Sequence, residues 1–274
     1  MKKWQPRQTA ERSYERAIRD LMKGLFREIK NLDSPFLIQQ AVTKFARSPT
    51  FQWAAKRVAY AMIRQVDKHQ YRTWKEAARG SQKGRLMAEI LQRQHLNSEI
   101  VQEILRRNTE LIQSLPEKLA QQAVNRAARE QARGNRSDAI VEEFLEKWPQ
   151  LTKSRAKLIA RTEMSKASTA MTRLNATNAG LEWYVWRTSK DARVRSSHQH
   201  MEDVLVAWDE SPSPEELDGK AAYGHYHAGD TFNCRCYPEP LVDYNDVSWP
   251  HKVYHNGKIR HMTLAQFKRI NQMI

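Results

Sequence analysis

Asn178-Ala179-Gly180-Leu181-Glu182-Trp183-Tyr184-Val185-Trp186 marks a change in the chain's texture. Gly180 can take the left-handed backbone that closes a helix, so it is read as the stop of a helix begun at Thr152 or Ser154. Residues 181–186 are rich in aromatics and read as a strand. Strand and loop signals continue downstream of it. Residues 204–208 form a second candidate strand, and Ser211-Pro212-Ser213-Pro214 reads as a loop. Residues 234–237 are a third strand-like stretch, ended by Pro238 and Pro240. Asn256-Gly257 sits at the centre of a type I′ hairpin over 253–259. Thr263 can cap a last amphipathic helix carrying Leu264, Phe267, Ile270 and Ile274.

Upstream, apolar residues recur at helical spacing. Ile18, Leu21, Met22, Leu25, Phe26 and Ile29 form one such stripe. Ser34-Pro35 and Ser48-Pro49 pair a hydroxyl cap with a first-turn proline. No proline intervenes between Pro49 and Pro116, so long helices are allowed, with a break near Gly80 to Gly84. Asn97-Ser98 can cap a following helix, and Ser114-Leu115-Pro116-Glu117 has capping-box spacing. Arg133-Gly134 reads as a helix end, and Ser137 starts a short helix closed by Trp148-Pro149. Trp53, Tyr60, Tyr71 and Trp74 fall at core-like spacing and are expected to pack inside. The expected fold is mainly α: a helical N-terminal module, then a small α+β module with short antiparallel strands and hairpins. The expected organisation is a basic helical module over 1–149, a second module over 150–250, and a C-terminal hairpin and helix over 251–274.

Composition narrows the function classes. The 274-residue chain carries a net charge of +15. Residues 1–150 hold 29 Lys and Arg against 17 Asp and Glu, a surplus of +12, whereas residues 151–274 have only +3. Such a basic surface attracts phosphate backbones without reading their sequence. An acidic protein partner explains it equally well. No apolar run approaches the ~20 residues of a membrane span. The basic start, Met1-Lys2-Lys3, is followed by no apolar stretch of the kind a secretory signal needs. Cys234 and Cys236 are the sole cysteines, which excludes a disulfide framework and makes a reducing cytoplasm the default compartment.

Three ligand-type pairs have one residue between members: His198-x-His200, His225-x-His227 and Cys234-x-Cys236. In extended backbone, residues two apart share a face, so each pair can converge on a point. Two thiolates with two imidazoles make a tetrahedral zinc set, and soft sulfur favours zinc over magnesium or calcium. The competing readings are buried free thiols beside surface histidines, or a strained disulfide. A Cys/His nucleophile pair, or a metal nuclease using His198, Asn233, His255 and His261, is the enzymatic alternative. Neither enzymatic pattern is specific, and a non-enzyme is expected. Arg161-Thr162-Glu163 lies inside a helix, as a surface pair or as a buried anchor to the next module. Asp191-Ala192-Arg193-Val194-Arg195 reads as a salt-bridged turn in preference to a phosphate contact.

Three segments together resemble the phage Mu protein F-like family of minor head, or head-morphogenesis, proteins. They are Ile159-Ala160-Arg161-Thr162-Glu163, the run from Trp186 through Asp191 to His198, and Phe232-Asn233-Cys234-Arg235-Cys236. The resemblance covers about residues 150–242. Members often carry Asp/Asn-Gly shortly after the motif histidine, where this chain has Met201-Glu202-Asp203-Val204, so the local turn is expected to differ. A proline-rich run often precedes their Cys-x-Cys element, where this chain has residues 225–230. The resemblance implies a virion protein of a tailed phage or prophage, at the capsid interior or portal vertex and in host cytoplasm during assembly. Implied partners are the portal protein and the major capsid or scaffold protein, with non-specific contact to packaged DNA and no membrane. It implies no catalytic activity. Structural zinc on His198, Cys234, Cys236 and one of His225 or His227 is the expected cofactor. Arg161, Glu163, Asp191, Arg193, Arg195 and Asn233 are expected to brace that centre, chiefly through ion pairs.

Overall fold

The structure is a computed structural model that describes residues 4–79, 98–133 and 138–271. The expected features at 80–84, Asn97, Gly134 and Ser137 lie outside the described residues. The described residues form two compact units: 8–65, 101–133 and 138–160 in one, and 4–7, 66–79, 98–100 and 161–271 in the other.

The first unit is all helix: α1 (Gln8–Ile29), α2 (Pro35–Arg47), the start of α3 (Pro49–Arg79), α4 (Glu99–Gln113), α5 (Leu115–Ala132) and the start of α6 (Asp138–Asn178). The stripe expected on α1 buries Ile18, Met22, Leu25 and Ile29, joined by Tyr14. The Tyr14 hydroxyl donates to Asn108 Oδ1 at 2.9 Å inside this unit. Helix α2 packs on α1 and α5. Ser48 caps α3, its Oγ accepting from the Phe51 amide at 3.3 Å. At α2 the Ser34 hydroxyl makes no cap bond, and the proline at N1 carries the start.

Three local expectations are corrected in the helices. The Ser114 box does not form: Ser114 alone separates α4 from α5, and its hydroxyl donates to the Leu111 carbonyl at 3.1 Å. Trp148-Pro149 does not end a helix, because α6 runs through it. An interior proline costs ~3 kcal/mol. Burial of an aromatic is worth ~1.5–3 kcal/mol and offsets it: Trp148 is fully buried, stacked on Phe26 at 6.4 Å and edge-on to Phe144 at 5.4 Å. Among the four aromatics expected in the core, only Trp74 is there; Trp53, Tyr60 and Tyr71 are exposed.

In the second unit Gly180 (φ +65°) closes α6 as expected. Leu181 donates its amide to the Ala176 carbonyl at 2.9 Å and Gly180 to Thr177 at 3.0 Å, the paired bonds of a Schellman end. The sheet that follows comprises β1 (Trp183–Arg187), β2 (Val204–Ala207), β3 (Tyr237–Pro240), β4 (His251–His255) and β5 (Lys258–Met262), in the order β3-β1-β2-β4-β5. Short helices α7 (Ser196–His200) and α8 (Pro214–Leu217) lie in the connections, and α9 (Leu264–Asn271) follows β5. All pairings are antiparallel except β2 with β4, which is parallel. That pairing builds residues 251–262 into the sheet, so the expected C-terminal hairpin is part of this layer. Asn256 (φ +50°) and Gly257 (φ +73°) form its turn as expected.

Both faces of the sheet are covered, which explains why β1 reads as unbroken apolar sequence. Tyr184, Trp186, Val204 and Val206 join Trp74, Ala176 and Ala179 of α3 and α6 in one core. Trp183, Val185, Leu205 and Val253 pack with Phe267 of α9 in another. The strand expected over 234–237 begins only at Tyr237, and Pro238 and Pro240 do not stop it there. They lie within β3, an edge strand, and the alternating neighbour Leu241 donates inward to Trp183 at 2.9 Å. Edge positions facing away from the ladder lose no bond to proline. After α7 the chain turns at Asp203 (φ +65°), a conformation glycine favours, and the Asp203 carboxylate pairs with Arg187.

Candidate metal centre

The loop over residues 225–236 crosses α6, and small side chains on the helix let it come close. Thr169 Oγ1 donates to the Ala228 carbonyl at 2.7 Å. Gly229 (φ +88°) follows, and a Cβ there would stand 2.6 Å from Thr169 Oγ1, 2.8 Å from the Cys236 carbonyl and 2.9 Å from Ser165 Oγ. Further along, the Asn233 amide donates to Thr162 Oγ1 at 2.9 Å, and Arg161 Nη1 donates to Asn233 Oδ1 at 3.0 Å. Asn233 itself takes φ +53°. Helix α6 thus fixes the loop at two points.

That docking turns Cys234 and Cys236 toward α7. Cys234 Sγ lies 3.5 Å and Cys236 Sγ 3.4 Å from His198 Nδ1. The three ligand atoms all fall within 4.8 Å of one another, and the residues are only 2–3% exposed. Both cysteines are free thiols. Their mutual hydrogen bond holds Cys234 well below the ordinary thiol range and pushes Cys236 well above it. The His198 ring lowers Cys234 further, against the opposing effect of its burial, whereas burial adds to the rise of Cys236.

The other ring nitrogen is anchored. His198 Nε2 meets the Tyr226 hydroxyl at 3.0 Å, and that hydroxyl donates to the Glu215 carboxylate at 2.6 and 2.8 Å. Ser197 Oγ donates to the same carboxylate at 3.1 Å. Tyr226 has one proton and gives it to Glu215, so its oxygen accepts from Nε2–H. The remaining nitrogen, Nδ1, then presents a lone pair to the two sulfurs. Burial and the Glu215 carboxylate both raise the Tyr226 hydroxyl above its ordinary range, keeping that proton in place. The buried indole Nε1 of Trp186 has no hydrogen-bond partner of normal geometry, and its ring stands edge-on to His198 at 5.7 Å. Its influence on Cys236 is that of a donor facing the sulfur.

The neighbouring histidines lie elsewhere. His225 is exposed, with Nδ1 3.0 Å from the Ser211 carbonyl. His227 is buried on the other side of the loop, 3.1 Å from the Tyr184 hydroxyl. Burial and Arg173 lower it to about 4, so it is neutral. Among the described residues no fourth His, Cys, Asp or Glu joins His198, Cys234 and Cys236. The alternation expected of His225 and His227 does not hold, because this loop is not a strand: His225 is exposed, His227 is buried elsewhere, and Tyr226 between them meets His198.

The bracing residues act through varied chemistry. Asp191 forms a two-point ion pair with Arg235, the residue between the cysteines, and the guanidinium holds its carboxyl below the usual range. Asp191 also accepts from the Arg193 amide at 3.0 Å, which makes the turn. Arg195 donates to the Phe232 carbonyl at 3.0 Å and lies 4.5 Å over the Phe232 ring. Arg161 bonds the side-chain amide of Asn233, and Glu163 is buried in α6. Glu215, Tyr226 and Arg235 contact this cluster or its bracing residues, and motif reasoning passes over them. Spacing gives no signal for Glu215, whereas the x of each x-separated pair does mark Tyr226 and Arg235.

The family model described as Phage Mu protein F like protein matches residues 78–238. The match starts well upstream of residue 150, so the family region takes in α4 and α5 as well as the three motif segments. No curated protein and no solved structure matches the chain.

Proposed function

The chain belongs to the phage Mu protein F-like family, and on that premise we propose that it is a minor head protein of a tailed phage or prophage, acting in head morphogenesis beside the portal. The match over residues 78–238 carries this reading. The contacts of the motif segments support it: Arg161 and Thr162 reach Asn233, Asp191 reaches Arg235, and His198 reaches both cysteines. The motif segments here close one folded unit, and its His/Cys cluster is too buried to meet a substrate. The role is structural, in the virion at the capsid interior or portal vertex, after assembly in host cytoplasm.

The helical unit is the partner-facing part in this reading. Exposed Phe36 and Leu37 on α2 give it apolar surface for portal, major capsid or scaffold protein. On α3, exposed Trp53 and Tyr60 alternate with Arg57 and Arg64, and the Arg57 guanidinium lies 4.5 Å over the Trp53 ring. Such a face suits phosphate contact with packaged DNA. No helix among the described residues is long and apolar enough to cross a membrane.

The test is the copy number of this chain in capsids purified from cells expressing its native gene cluster, by quantitative mass spectrometry. A few to a few tens of copies per particle is the expected result. Absence from well-assembled particles overturns the proposal.

A further inference from the structure

The geometry points to a zinc site on His198 Nδ1, Cys234 Sγ and Cys236 Sγ, with its fourth position filled by water or another small ligand. This goes beyond the head-assembly reading and does not depend on it. In a tetrahedral centre with Zn–S ≈ 2.3 Å and Zn–N ≈ 2.0–2.1 Å, sulfur and nitrogen ligand atoms stand about 3.5 Å apart. The two S···N separations here are 3.5 and 3.4 Å. One ion therefore fits between the side chains as they stand. The ligand chemistry is selective: two thiolates and an imidazole suit zinc and are poor ligands for magnesium and calcium, which prefer oxygen.

The surroundings supply what metal-bound histidines need. A ligating imidazole donates its second N–H to a carboxylate or its relay, which fixes the tautomer and strengthens the ligand. Glu215, acting through Tyr226, does this for Nε2, leaving Nδ1 as the donor atom. Trp186 Nε1, buried and unbonded, is a ready donor to a thiolate. On binding, zinc forms two Zn–S bonds and one Zn–N bond. Protons still held by the thiols pass to solvent, and nothing is oxidised or reduced. The ion joins α7 to the loop that precedes β3, so it ties the second motif segment to the third.

The test uses the full chain, purified with reduced thiols, supplied with zinc and desalted. About one zinc per chain is expected by elemental analysis. Co²⁺ loaded into the unaltered chain should give near-ultraviolet thiolate-to-cobalt charge transfer and intense tetrahedral visible bands, a readout independent of any variant's folding. C234S and C236S should lose the metal, while H225A and H227A keep it. Y226F, a positioning variant, should weaken zinc binding ~10–100-fold in chelator competition, with H198A abolishing it. Zinc content near zero in the unaltered chain, or cobalt spectra without the thiolate bands, overturns the proposal. So does full zinc content in both cysteine variants, or an intact mass two hydrogens lighter under non-reducing conditions after zinc loading.

Discussion

Gly229→Ala tests whether the loop and α6 are held together as described. The added methyl would sit 2.6 Å from Thr169 Oγ1, 2.9 Å from Ser165 Oγ and 2.8 Å from the Cys236 carbonyl. The hydroxyl of Ser165 could rotate away, but a backbone carbonyl next to β3 cannot. At φ +88° an alanine also carries backbone strain of ~1–2 kcal/mol. Overpacking adds ~1–3 kcal/mol, and loss of unfolded-state freedom returns ~0.4–1 kcal/mol. The net expectation is a destabilisation of about 1–4.5 kcal/mol. Gly257→Ala is the control: its φ is +73°, nothing lies within 4 Å of its Cβ, and only the backbone strain applies. Urea unfolding of both variants and the parent, followed by circular dichroism and tryptophan fluorescence, gives the difference directly. Equal losses for Gly229→Ala and Gly257→Ala would refute the close approach of loop and helix. Because Cys236 is the backbone neighbour that must move, Gly229→Ala should also weaken zinc binding, and Gly257→Ala should not.

Other consequences follow from particular contacts. His227 is neutral in the folded chain, with its value lowered to about 4 by burial first and Arg173 second. The unfolded chain takes up a proton near pH 6.5, so stability should be complete above that pH and fall by ~1–3 kcal/mol as pH drops toward 4. Urea midpoints at pH 7 and pH 4.5 for the parent and for His227→Gln measure this, and an equal drop in both removes His227 as the cause. Thr263 and Gln266 bond reciprocally at the start of α9, so Thr263→Ala should cost ~1 kcal/mol by the same method. Tyr14→Phe removes a buried hydrogen bond to Asn108 and should cost ~1–3 kcal/mol. Trp53→Ala with Arg57→Ala should weaken binding to random-sequence DNA and lower the salt slope by about one if Arg57 neutralises one phosphate. An unchanged slope would exclude that face from DNA contact.

Local chemistry already contained much of this molecule. Amphipathic spacing placed the buried face of α1, Gly180 the end of α6, Asn256-Gly257 the hairpin, and Thr263 the start of α9. Each is decided within a few residues by sterics or by a neighbouring hydrogen bond, so each is readable from the chain alone. Cys234-x-Cys236 was readable as a ligand-type pair, but its meeting with His198 was not a matter of spacing, because His198 lies in helix α7. The places where local reading fails depend on distant partners. Trp148 keeps α6 continuous through Pro149 by packing on Phe26, more than 100 residues away in sequence. Pro238 and Pro240 are strand residues only because β3 is the edge of the sheet. Tyr226 faces the imidazole, and His225 and His227 face away, because Thr169 and Gly229 set how the loop lies on α6. Which of these three side chains meets the cluster is not set by strand alternation, and no local preference decides it. It is decided where one carbonyl meets one hydroxyl across the helix, so the sequence by itself determined the kinds of ligand and the tertiary structure decided which of them meet.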